Sequence, residues 1–177
     1  DEGGLSWAEY SADGIYTLHH EYCDGKHFSF ALPFGQEVHS LAWDNTTRCH
    51  YCIITGDEGM WISQISPEKE MTRLTPPAYI TLSKLRARDG KLYFGSIASG
   101  RDEAHLYDLV EGKEYRLTTS RYGSFQPVPL DSGRVVATSY DRRGYMPVTQ
   151  SLGDAVKVEY APHPPKILLP EMPRWDV

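Results

Sequence analysis

The sequence predicts an all-β chain, a β-propeller built from four-stranded antiparallel blades. Three observations carry this. A motif returns after 43 residues, short apolar runs alternate with turn formers, and no window offers a helical period of any length. An amphipathic sheet of this size cannot bury both faces alone, so tandem copies stack radially on one another.

The repeat is anchored by Arg73-Leu74-Thr75, which recurs as Arg116-Leu117-Thr118. Asp89-Gly90 follows the first copy and Asp131-Ser132-Gly133 the second, while Asp44-Asn45 and Asp13-Gly14 hold the equivalent place upstream. The propeller region is thereby assigned to residues 1–160, in units of about 5–37, 38–79, 80–124 and 125–160.

In the first unit Ile15-Tyr16-Thr17-Leu18 is the second strand and Phe28-Ser29-Phe30-Ala31 the third. In the second unit these are Tyr51-Cys52-Ile53-Ile54 and Met60-Trp61-Ile62-Ser63, followed by an acidic turn, Pro67-Glu68-Lys69-Glu70. The third unit is the most regular. Leu82 to Ala87 forms a first strand, Asp89-Gly90 a tight hairpin turn, and Lys91 to Ser96 a second strand. A polar loop through Gly100-Arg101-Asp102-Glu103 leads to Ala104 to Leu109, and Glu111-Gly112-Lys113 turns the chain into Glu114 to Thr118. In the fourth unit Val135 to Thr138 and Pro147 to Gln150 are the second and third strands. Residues 161–177 carry Pro162, Pro164, Pro165, Pro170 and Pro173, which disfavour sheet pairing and predict a linker or arm. Ile167-Leu168-Leu169 and Trp175 give that arm apolar groups with which to dock.

Composition narrows the function classes. With 18 basic and 24 acidic residues the net charge is −6, and no basic stripe exists for nucleic acid or an anionic membrane surface. No apolar run approaches the roughly 18 residues of a membrane helix, so no direct membrane insertion is expected. The opening Asp1-Glu2-Gly3-Gly4 lacks an initiator methionine and a signal sequence, as expected of a processed chain or a piece of a longer one. Cys23, Cys49 and Cys52 are an odd number, so they do not establish an oxidising compartment.

Ser11-Ala12-Asp13-Gly14 resembles the Ser-Pro-Asp-Gly turn of TolB-like (PD40, WD40-like) propeller repeats. Ala87-Arg88-Asp89-Gly90 is similar with its first two residues changed. Leu92 to Ser96, Gly100-Arg101, Leu106 to Leu109, Gly112-Lys113 and Arg116-Leu117-Thr118 together resemble nearly a whole repeat, and Thr138 to Gly144 resembles part of another. The first two units depart from the pattern, since no Leu-Thr closes the first. The resemblance implies a six-bladed propeller, of which about four blades are visible, and a periplasmic or secreted location. Four units are too few for such closure, so either missing blades or an irregular compact propeller is expected. Further blades preceding Asp1, a protein partner or a second copy are therefore expected to cover the open faces.

Candidate chemistry is sparse. Cys49-His50-Tyr51-Cys52 contains a C-x-x-C, but on a strand residues three apart point to opposite faces, which argues against a shared zinc. A disulfide from Cys23 to one of them stays open. His19-His20-Glu21 with His27 is a second cluster, and adjacent strand histidines again face opposite ways, so no metal site is assigned. There is no G-x-S-x-G elbow and no phosphate-binding glycine loop, so no catalytic residue and no cofactor are assigned.

In a meander the strand 2–3 loops and the inter-blade loops share one end of the sheets. That end carries Tyr79, Arg101, Arg121, Tyr122, Tyr140, Arg142, Arg143 and Tyr145, residue types that concentrate interface energy. These eight are the predicted binding residues. The competing reading is that the arginines merely pair locally with Asp102, Glu103 and Asp141.

Three functions fit. One is a non-catalytic module mediating protein–protein interaction, in the bacterial cell envelope by the TolB resemblance. Another is a regulatory or substrate-admitting propeller attached to a peptidase or other hydrolase. The third is a glycan or small-molecule binder using Trp7, Trp43 and the loop tyrosines as stacking platforms.

Overall fold

A computed structural model describes residues 4–159, which form antiparallel sheets with no α-helix among them. The first sheet holds β1 (Gly4–Tyr10), β2 (Tyr16–Tyr22) and β3 (His27–Ala31). The second holds β4 (Glu37–Asp44), β5 (Cys49–Gly56), β6 (Gly59–Ile65) and β7 (Met71–Arg73). The third holds β8 (Leu82–Arg88), β9 (Lys91–Ser96), β10 (Glu103–Asp108) and β11 (Lys113–Arg116). The fourth holds β12 (Ser124–Pro129), β13 (Arg134–Asp141) and β14 (Gly144–Ser151). The predicted arm over 161–177 lies outside the described residues.

Each sheet is a meander, and β1, β4, β8 and β12 pack side by side in chain order, as the inner strands of successive blades do. The four-strand pattern holds in the second and third sheets. The first and fourth have three strands among the described residues. For the first sheet the sequence already shows why: no Leu-Thr segment closes it, and Pro33 and Gly35 carry the chain straight to β4. In the fourth, a 3-10 turn at Leu152–Asp154 redirects the chain, and β15 (Val156–Lys157) pairs with β11 of the third sheet instead.

The cores lie between sheets. Leu18, Phe28, Cys52, Ile54 and Trp61 fill the gap between the first and second. Tyr51, Ile53, Ile62, Leu85, Leu92 and Phe94 fill that between the second and third. Tyr93, Ala104, Leu106, Leu117, Val135 and Ala137 join the third to the fourth. Each large aliphatic side chain fully removed from water contributes about 1.5–3 kcal/mol, so blade stacking is the main source of stability. Polar contacts fix the stacking register. Ser40 Oγ accepts from Leu85 N at 3.0 Å, and buried Asp44 accepts from Gly90 N at 3.3 Å.

The Asp89-Gly90 turn has positive φ at both residues (52° and 73°), the type I′ geometry that Asp-Gly predicts for a two-residue hairpin. The repeated Arg-Leu-Thr also acquires a cause. Leu74 N donates to Ile62 O and Thr75 Oγ1 accepts from Ile62 N; one repeat later Leu117 N donates to Ala104 O and Thr118 Oγ1 accepts from Ala104 N. The leucine fills the core while the threonine hydroxyl replaces a ladder partner where the fourth strand ends.

Thr75→Val should therefore cost about 1–3 kcal/mol in urea unfolding, the penalty of one buried N–H left unpaired. Thr118→Val should cost more, because Thr118 also donates to buried Glu103 at 2.6 Å. Equal losses would show that the bond to Glu103 contributes nothing.

Candidate functional site

The eight predicted residues fall into three groups. Tyr122, Tyr140 and Tyr145 come together at the end of the fourth sheet. The Tyr122 and Tyr140 rings lie 6.5 Å apart, Tyr140 and Tyr145 5.0 Å apart, and Phe125 extends the row at 6.0 Å from Tyr145. The Arg121 guanidinium sits 5.2 Å from the centre of the Tyr122 ring. Tyr79 stands apart, in the linker after β7, its hydroxyl donating to Asp57 O. Arg101, Arg142 and Arg143 are exposed on the strand 2–3 loops.

The local-pair reading holds for Arg143, whose guanidinium meets Asp141 at 2.9 Å and holds that carboxyl below its usual range. It fails for Glu103, expected in a polar loop. That residue is buried in β10, accepting from Thr118 Oγ1 and Ser120 N.

Strand alternation gives the tyrosine row an orientation that the sequence reading lacked. Val135 and Ala137 of β13 and Val148 of β14 face the third sheet. Tyr140 and Tyr145 have the opposite parity, so they lie on the outer face, where a further blade would stack. Tyr145 is 70% exposed, Tyr122 52% and Tyr140 44%. The first sheet is open in the same way. Leu5 and Trp7 of β1 are exposed, and Trp7 stacks on His19 at 5.1 Å on the face turned away from the second sheet.

The cysteine and histidine clusters divide between faces as strand geometry demands. Cys49 packs between the second and third sheets and Cys52 between the first and second. Burial pushes the Cys52 thiol up to about 12, which makes it a poor nucleophile and ligand. His19 lies on the open face, 3.3 Å from His27 and 3.1 Å from Glu9, whereas His20 is buried against Trp43 and His50. Among the described residues no group of three or more His, Cys, Asp or Glu is placed to hold a metal.

A second constellation escaped the sequence reading. On the third sheet, buried His105 of β10 bonds through Nδ1 to Glu114 Oε1 of β11 at 2.6 Å. His105 is the cross-strand partner of Arg116, and all three line a cavity of about 630 Å³. The apolar part of its wall comes from Pro76, Pro77 and Ile80 of the linker before β8, Ala98 after β9, and Val156 and Val158 of the β15 segment, and Ser99, Lys157 and Glu159 add polar groups. The missed signal was in the repeat. Register places His105 where the second unit has Ser63, each opposite the arginine of Arg-Leu-Thr. Two residues before that arginine Glu114 replaces Met71, so the ionisable pair is a departure specific to the third blade.

No family model matches the sequence, the repeat family suggested above included, and no curated protein matches it. Solved structures do. TolB from Acinetobacter baumannii superposes with a TM-score of 0.68 over 87% of this chain and 39% of that one, at 12% identity. A structure assigned as TolB from Agrobacterium tumefaciens superposes with a TM-score of 0.51 over 79% of this chain and 57% of that one, at 21% identity. The chain therefore has the fold of a TolB-like propeller segment and spans 39% and 57% of the length of those two structures.

Proposed function

We propose that the chain is a non-catalytic propeller module mediating protein–protein interaction in the bacterial cell envelope, in a periplasmic or secreted setting. The observation that carries this reading is the exposed aromatic face at each end of the array. Soluble proteins rarely leave large apolar patches uncovered, and rigid tyrosines beside arginine are typical anchors of protein interfaces. The covering surface is a protein partner or further blades of the same fold. Tyr122, Tyr140, Tyr145 and Arg121 form the centre of the proposed interface. Arg101, Arg142 and Arg143 supply charge at its rim, while Tyr79, on the linker between the second and third sheets, lies outside this interface. The likeness to TolB supports the envelope setting by analogy of fold.

Light scattering at micromolar concentration tests the reading. The chain should associate, and Tyr140→Ser with Tyr145→Ser should reduce association while changing unfolding free energy by no more than about 1 kcal/mol, since both rings are exposed. A monomer that unfolds cooperatively, indifferent to those substitutions, would mean that the four units need no covering surface.

A further inference from the structure

We infer that the cavity on the third blade is a binding site for a small amphipathic monocarboxylate, with an apolar body seated against the prolines and valines and its carboxylate on Arg116. Three cationic or protonatable groups and two carboxylates line the cavity: His105, Arg116 and Lys157 with Glu114 and Glu159. Lys157 Nζ meets Glu159 at 2.7 Å, and the His105 ring bonds to Glu114. Arg116 forms no ion pair with any described residue, and its buried Nε has no hydrogen-bond partner among them. The Arg116 guanidinium thus borders a largely apolar space with no anion in contact among the described residues, an arrangement that costs stability until an anion meets it.

His105 supplies a second, independent pointer. The residue is 1% exposed, and with Nδ1 bound to Glu114 its Nε2 is buried and unpartnered. Native interiors seldom leave such atoms unsatisfied without a function or an additional group to meet them. Both orphaned atoms belong to cross-strand partners on one face, so a single polar head can reach both: Arg116 Nε–H donates to a carboxylate, and His105 Nε2 does so in the ring form that carries a proton on each nitrogen. A carboxylate suits the planar guanidinium fork, and Pro76, Pro77, Ile80, Ala98, Val156 and Val158 offer the apolar contact for the rest of the ligand. The volume falls within the usual range for small-molecule pockets.

The site depends on the unusual path of β15. Pairing of Tyr115 with Lys157 and Arg116 with Val156, together with Val158 N donating to Glu114 O at 2.9 Å, places the outer wall. The second blade carries Ser63 and Met71 at the corresponding positions, and its Arg73 is already engaged by Glu58 at 2.9 Å and by the Trp61 ring. The third blade alone combines the unpaired arginine, the histidine and the added wall among the described residues.

Octanoate, with octylamine and 1-octanol as controls, is a suitable probe for calorimetry and amide NMR on the full chain. Octanoate should bind saturably, with shifts centred on Ala78, Ala98 and Arg116 and movement of the His105 ring nitrogens. Octylamine should not bind there, and octanol should bind at least about tenfold more weakly. Arg116→Gln should weaken octanoate by about tenfold or more at an unfolding midpoint no lower than that of the native chain. Because that substitution could disturb β11, Ala98→Trp provides a second route, filling the cavity from the loop and abolishing binding. Absence of saturable binding, equal affinity for octanol, or shifts confined to the open faces of the first and fourth sheets would overturn the assignment. None of these outcomes bears on association through the tyrosine row.

Discussion

Gly59→Ala is expected to remove about 3–5 kcal/mol of stability, a large share of what holds a domain of this size together. Gly59 opens β6 after the Asp57-Glu58 turn with φ of 106°, a conformation that L side chains rarely adopt. The space beside it is also taken. A Cβ there would lie 2.3 Å from Ala78 O and 2.5 Å from Ala78 C, both backbone atoms. The close approach exists because Met60 and Ala78 form a bridge, with Met60 N donating to Ala78 O at 2.8 Å and Ala78 N to Met60 O at 3.0 Å. Alanine must break that bridge and strain the turn together. Gly90→Ala is the control: φ is 73° but nothing lies within 4 Å of the added Cβ, so only the conformational cost of about 1–2 kcal/mol applies. If urea denaturation gives equal losses for the two, the steric argument at Ala78 fails.

That contrast illustrates what sequence could and could not convey. Asp89-Gly90 was readable because the turn chemistry is local: two residues encode their own φ values. Gly59 was not, because its necessity comes from Ala78, on a linker that only the folded chain brings near. The same division runs through the fold. Strand positions and the Arg-Leu-Thr repeat follow from short-range pattern, whereas β15 joining the third sheet follows from where the fourth sheet ends in space. At the candidate site, loop position put Tyr122, Tyr140 and Tyr145 at one end of the sheets, and the fold sets their rings in a row. Reading them as loop-tip groups overlooked strand parity, which puts the last two on an open sheet face. His105 and Glu114 stand in two separate strand segments of the sequence. Only the register brings His105 opposite Arg116 and within reach of Glu114.

Acidification should destabilise the chain through the histidines between its first two blades. His50 is buried in β5 with its ring stacked on Phe28 at 4.9 Å, beside Trp43 at 4.6 Å, and edge-on to His20 at 5.0 Å. Its Nε2 has no partner among the described residues. Burial, and then the neighbouring His20, bring its pKa down to about 4 from the usual 6.5, and burial lowers His20 as well. Once the pH falls below about 6.5 the unfolded chain takes up a proton at His50, while the folded chain resists until about pH 4. The stability owed to keeping this ring neutral is therefore fully present above that window and is lost progressively through it. A difference of this size corresponds to about 3 kcal/mol. His50→Phe preserves an aromatic ring against Phe28 and Trp43 but cannot be protonated. Its unfolding free energy should fall much less than that of the native chain between about pH 7 and pH 4.5, the carboxylates contributing equally to both. The native chain should be the less stable of the two at the acid end. An identical pH slope in both proteins would place the acid sensitivity elsewhere, since a ring that stays neutral in the folded state cannot fail to couple folding to protonation.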